Sequence, residues 1–175
     1  WQVSVAAGNI QTLKRFARRH KHGSTPKEPP TIASIPIPIP TDYMKNLIYD
    51  NHSSDKRVLV FASEDGLNLL GSTDTWFMDG TFSTAPSQFQ QIFCIRAAIG
   101  NTHVSVAYAL LPSKTQHIYE ECLTAILDAC LQRDIRPSPN TVVTDYEIAI
   151  HNAVKAAIST NIHIQVIIKL YYDML

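Results

Sequence analysis

Apolar and polar positions alternate along this chain with two periods, and the places where the period changes mark the elements. RVLVFAS (57–63) is a short β-rich run, and DGLNLLGS (65–72) after it reads as a short helical turn. DTWFMDGTF (74–82) predicts a strand. QFQQIFCIRAAIG (88–100) and HVSVAYALLP (103–112) predict two more, joined through Gly100-Asn101, a pair suited to a tight hairpin. From Lys114 to Asp134 the period becomes helical, with Tyr119, Leu123, Ile126, Leu127 and Cys130 on one apolar face. TVVTD (141–145) is a short buried strand between turn residues. YEIAIHNAVKAAIS (146–159) is a second helix, with Ala149, Ala153 and Ala157 four apart beside Ile150, Val154 and Ile158. IHIQVIIK (162–169) is a further strand, the fifth counted from DTWFMDGTF, and it is exposed and sticky if no helix covers it.

From DTWFMDGTF onward the order is strand, strand, strand, helix, strand, helix, strand. Three antiparallel strands followed by right-handed helical crossovers give an α/β fold, a mixed sheet with helices on its faces. The order resembles the RNase H-like arrangement, incomplete here at the C-terminal end. In that arrangement the first strand and the strand after the first long helix are parallel neighbours at the sheet centre. Asp79 is on the former and Asp145 ends the latter.

Asp79 closes the run Trp76-Phe77-Met78. A buried charge costs several kcal/mol unless something pairs with it. Either Asp79 sits solvated in a turn, with Asp79-Gly80 as a hairpin tip, or it is held for a metal. Two carboxylates on adjacent strands suit magnesium, which prefers hard oxygen ligands. Asp145 also has two readings. Thr144 and Glu147 match a capping box, in which Asp145 favours the positive end of the following helix. Glu147, about 200° around that helix from Asp145, is expected to face away from the site.

Composition narrows the class. The chain has 175 residues, enough for one domain with a sizeable core. Cys94, Cys122 and Cys130 have neither metal-ligand nor disulfide-framework spacing and read as small buried hydrophobes. No apolar run reaches transmembrane length, and no signal peptide opens the chain. The first residue is Trp1, as expected of a piece of a longer product.

The net charge of zero hides an asymmetry. Lys14, Arg15, Arg18, Arg19, Lys21 and Lys27 face one acid, Glu28, within residues 1–30. A basic arm over 1–25, partly helical around Ile10, Leu13, Phe16 and Ala17, suggests a polyanion partner; the other reading is a solvated tail. Six of the ten prolines lie between Pro26 and Pro40, so 26–42 reads as an extended linker. The compact domain begins near Tyr43 and takes up 43–175.

Three blocks carry a family resemblance. WFMDGTFSTAPSQFQQIFCI, VAYALLPSKTQHIYEECL and VVTDYEIAIHNAV resemble, in order, the transposase domain of Mutator-like elements (MULE), over Arg57 to Ile158. The resemblance implies a DDE-type, RNase H-like transposase that acts in the nucleus on DNA, both transposon ends and target, with self-association as a further expectation. It makes Asp79 and Asp145 the first two catalytic carboxylates and metal ligands; the basic arm lies outside the matching blocks, and its charge alone makes Lys14, Arg15, Arg18, Arg19 and Lys21 the candidate DNA-binding residues. The cofactor is magnesium, with manganese as a substitute. Two ions roughly 3.5–4 Å apart clamp the attacking and leaving oxygens, Asp79 bridging them and Asp145 holding one. Water first frees a 3′-hydroxyl, which then attacks target DNA. The family's third acid, a Glu, and its C-x2-H pair follow the fifth strand. Here the chain reads LYYDML after QVIIK, and Asp173 is a poor substitute. The expectation is a fragment inactive on its own, the alternative a non-catalytic remnant that binds DNA or protein.

Overall fold

A computed structural model describes residues 31, 39, 41–81 and 85–167. A single turn, α1 (Thr41–Met44), leads into β1 (Leu47–Asp50), β2 (Leu59–Ala62), α2 (Glu64–Ser72), β3 (Thr75–Thr81), β4 (Gln91–Ile99) and β5 (Thr102–Leu111). Then follow α3 (Gln116–Leu131), β6 (Thr141–Thr144), α4 (Ile148–Ala157) and β7 (His163–Val166). The strands form one mixed sheet in the order β1-β2-β5-β4-β3-β6-β7. Pairing is antiparallel from β1 through β3 and parallel for β3–β6 and β6–β7. The last five strands carry the RNase H-like order, with β3 and β6 as the parallel pair beside the sheet centre.

The two strand faces explain two apolar clusters. Along β2, Val60 and Ala62 point to the main core while Leu59 and Phe61 point to the other face, as a period of two requires. The main core includes Val60, Trp76, Phe93, Ala107, Leu123, Ile126, Ile150 and Val154. Leu59 joins Ile39 and Phe89, packed against Leu47, Phe61 and Leu110. Trp76 is fully buried, and its indole N–H donates to the Leu70 carbonyl at 3.3 Å, so its one polar atom is satisfied.

The long helix turns inward the face its spacing predicted. Tyr119, Leu123, Ile126 and Cys130 are buried, together with Ile118, Cys122, Ala125 and Ala129, while Leu127 is only partly buried. All three cysteines are buried and unpaired in disulfides. Burial pushes the Cys122 thiol up to about 12 and that of Cys130 up to about 11, which leaves both protonated and unreactive. The β4–β5 hairpin turns at Gly100, whose φ of +55 is a conformation side chains rarely adopt. Among the described residues no helix is long and apolar enough to cross a membrane.

The segment read as a helical turn is a nine-residue helix. Ser63 caps it, its Oγ accepting from the Gly66 N–H at 3.1 Å. The β4–β5 register slips between Ile95/Ala107 and Arg96/Ser105, a bulge that leaves Val106 unpaired in the ladder. At that bulge α2 comes close. A Cβ on Gly66 would lie 2.6 Å from the Val106 carbonyl oxygen. Gly66→Ala is therefore expected to push α2 away from β5 and destabilise the fold by about 1–3 kcal/mol, as overpacking does. Urea unfolding of the two proteins checks this, and equal midpoints would show that the helix moves freely there.

Candidate active site

The hairpin reading of Asp79-Gly80 is replaced by a strand. Both residues lie within β3, where Asp79 pairs with Cys94 and Gly80 with Phe93 of β4. The run continues as a strand because Trp76 and Met78 fill the core between β4 and β6. The capping-box reading is also replaced. Thr144 is buried as the last residue of β6, and Glu147 is the residue that precedes α4, with no side-chain cap bond.

The parallel register brings the two predicted carboxylates to one sheet edge. Met78 pairs with Thr144, so Asp79 and Asp145 each stand one step past the last paired positions. Neighbouring strands lie about 4.8 Å apart, and parallel strands end at the same edge. Both aspartates are half-buried. The predicted DNA-binding residues Lys14, Arg15, Arg18, Arg19 and Lys21 lie outside the described residues, as do Asp173 and most of the 26–42 linker.

A polar network that sequence reading missed adjoins Asp145. Tyr119, in the first turn of α3, is fully buried, and its hydroxyl donates to Glu147 Oε1 at 2.7 Å. Its single proton is thereby used, so Gln91 approaches as a donor, Nε2 to the Tyr119 oxygen at 2.6 Å. Glu147 Oε2 lies 3.6 Å from Lys114 Nζ. Burial, more than any other factor, raises the Tyr119 hydroxyl far above its ordinary range. The Gln91 hydrogen bond opposes this, and the charges of Glu147 and Asp145 add to it. Tyr119 is thus neutral and a fixed donor.

The backbone of the same turn is held too. The carbonyl of Asp145 accepts from the Glu147 N–H at 2.9 Å and pairs with His151 Nε2 at 3.1 Å. A carbonyl only accepts, so Nε2 carries the hydrogen. The Thr144 hydroxyl reaches Asp145 Oδ1 at 3.4 Å. Glu147 precedes the helix, at φ −126° and ψ 107°, so the 200° separation expected for two helical positions does not describe it. The one legible sign of this network was an unusual Tyr at the N-terminal end of an apolar helix face. Its partners Gln91 and Glu147, 28 residues away on either side, gave none.

Among the described residues no group of three or more His, Cys, Asp or Glu side chains is arranged to hold a metal ion. The family model of the MULE transposase domain matches residues 75–169, which takes in Asp79, the Tyr119 network and Asp145. The chain belongs to the MULE transposase domain family. That membership supports a transposase-related function for it. A crystal structure of the catalytic core domain of BIV integrase is similar to this chain with a TM-score of 0.31 and 17% identity, over 57% of this chain and 58% of that one. No curated protein matches the chain in sequence.

Proposed function

We propose that this MULE transposase domain is a divalent-metal-binding unit of a nuclear DNA transposase, with Asp79 and Asp145 as its metal ligands and the basic arm as its DNA contact. The observation that supports the reading is the β3–β6 register, in which Met78 pairs with Thr144, the residues directly before Asp79 and Asp145. Two half-buried carboxylates are hard oxygen donors, and they fit magnesium or manganese. When bound, such an ion polarises a phosphoryl oxygen and stabilises the charge that develops in DNA cleavage and strand transfer. The chain's own residues hold the carboxylates in place through strand pairing and the polar network around Glu147. A titration followed by manganese electron paramagnetic resonance tests this. One weakly held ion is expected, lost in both Asp79→Asn and Asp145→Asn. Manganese bound equally by all three proteins, or by none, overturns the proposal.

The arm carries its own prediction. Lys14, Arg15, Arg18, Arg19 and Lys21 are expected to make DNA affinity steeply salt-dependent and largely independent of sequence. Each phosphate neutralised contributes about −0.9 to the slope of log K against log salt, so replacing all five with Ala should flatten it by up to roughly 4.5. Fluorescence anisotropy with unrelated duplexes measures it. An unchanged slope would make the arm a solvated tail.

One observation favours a second reading, a non-catalytic domain that binds DNA or protein. It is the lack, among the described residues, of a third ligating side chain near the two aspartates. Manganese binding separates the two, since a domain that only binds DNA has no need of the ion.

A further inference from the structure

We infer that Glu147 is a positioning residue for Asp145, gripped by Tyr119 and Lys114 so that the turn leaving β6 has one conformation. The inference rests on the proposed reading of Asp145 as a metal ligand and assigns Glu147 a role within that site.

The turn is short and faces solvent, with Tyr146 77% exposed at its tip. Nothing in its own sequence would fix it. Two groups from outside it meet the Glu147 side chain, and a third holds one of them. Gln91 begins β4, Lys114 lies in the β5–α3 connection, and Tyr119 is buried in α3. Tyr119 is held from below by Gln91 and donates upward to one Glu147 oxygen, while Lys114 approaches the other. The carboxylate is thus held on both oxygens, two residues beyond Asp145. The Glu147 N–H then closes a three-residue turn onto the Asp145 carbonyl, and His151 holds that carbonyl from α4. Asp145 has its backbone pinned on its C-terminal side by this turn and on its N-terminal side by the pairing of Thr144 with Met78. A ligand carboxylate needs such support, because a side chain free to swing holds an ion poorly.

The chemistry at 147 is specific. Tyr119 needs an acceptor there, and a glutamine oxygen supplies one of the same length. Alanine supplies none and leaves the proton of a buried hydroxyl without its acceptor. Positioning therefore predicts that Gln substitutes for Glu. Action through negative charge, as a ligand or field, predicts that it does not.

The test compares the full 175-residue chain with Glu147→Gln, Glu147→Ala and Tyr119→Phe by two readouts. One is manganese affinity. The other, in metal-free buffer, is hydrogen exchange of the Glu147 amide, with urea unfolding run in parallel so that exchange is read against global stability. Loss of outer support typically weakens metal binding 10–100-fold, so Glu147→Ala and Tyr119→Phe should bind manganese about tenfold more weakly, with Glu147→Gln within about threefold of the parent. The Glu147 amide should exchange about tenfold faster in the first two and near the parent rate in the third. Parent-like exchange in Glu147→Ala overturns the inference whether or not metal binds. So does a Glu147→Gln that binds manganese as weakly as Glu147→Ala while its amide stays protected. If the parent binds no manganese, the metal reading fails and the exchange rates alone decide whether the grip exists.

Discussion

Replacing Arg57 with alanine is expected to destabilise the fold by about 3–5 kcal/mol, the usual cost of leaving one member of a buried ion pair alone. Arg57 and Asp50 are 2% and 6% exposed. Arg57 Nε donates to Asp50 Oδ1 at 2.9 Å and Nη2 to Oδ2 at 2.6 Å, a two-pronged contact. The pair closes the β1–β2 connection. Beside it Asn51 accepts from Val58 N–H at 3.0 Å and donates to Glu121 of α3 at 2.8 Å, and the Tyr49 hydroxyl donates to the same Glu121 oxygen at 2.8 Å. Alanine would leave the Asp50 carboxylate with only its contacts to the exposed His52 and loosen an edge that ties two strands to a helix. Urea unfolding at pH 7 measures the loss. Arg57→Met combined with Asp50→Leu should recover most of it, since an apolar pair has no charge to strand. A loss below about 1 kcal/mol for Arg57→Ala would mean that water reaches Asp50 easily.

The pair also sets an acid dependence. Burial disfavours the charged form of Asp50, but the hydrogen bonds from Arg57 and the His52 N–H and the two nearby charges outweigh it, so its carboxyl lies below the usual range. A group depressed by folding contributes stability that is present above its unfolded value, near 3.9, and is lost as pH falls through the folded value. The Arg57→Ala protein lacks this contribution, so the gap between it and the parent should narrow as pH falls below about 4. At the alkaline end, burial and the bond to Glu121 push the Tyr49 hydroxyl up to about 12. Its contribution is whole below about pH 10 and is lost as pH rises through 12.

This edge was the part of the fold least legible in the sequence. β1 is four half-buried residues with no alternation, and neither period registers in so short a run. What holds it is polar and non-local, Glu121 lying 70 residues from Asn51. By contrast, β3 to β5 and the two crossover helices were legible because each buries one face in the main core where sheet and helices meet, and burial imposes a period. Asp79 stood out in the sequence for another reason. A carboxylate directly after Trp76-Phe77-Met78 is a local conflict between charge and burial, and such conflicts concentrate at functional sites. The place of Glu147 in the Tyr119 network was not legible, because Thr144 and Glu147 fit a capping box. Only the pairing of Thr144 into β6 shows that the helix begins later.

The 175-residue chain alone is expected to cut no transposon-end DNA at a measurable rate, in magnesium or manganese. The reason is charge. Asp79 and Asp145 together supply about −2, whereas two divalent ions bring about +4, and cleavage by the two-metal route needs both ions placed together. The described residues offer no third ligating side chain in the same cluster. Glu147, near in sequence, is engaged with Tyr119 and Lys114. On the proposed reading, one ion would therefore be held weakly and mainly by water, as magnesium commonly is. Weak binding still leaves a thermodynamic trace. At tenfold excess over the dissociation constant, an ion that binds only the folded chain stabilises it by about 1.4 kcal/mol. That increment should vanish in Asp79→Asn and Asp145→Asn, and in chelator both should be at least as stable as the parent, because one of two neighbouring like charges is gone. Thermal unfolding with and without manganese, beside a cleavage assay on the same three proteins, separates the possibilities. Metal-dependent stabilisation without cutting is the expected result. Robust cutting that both substitutions abolish would mean that a third acid completes the site, from Asp173 or from a second copy of the chain.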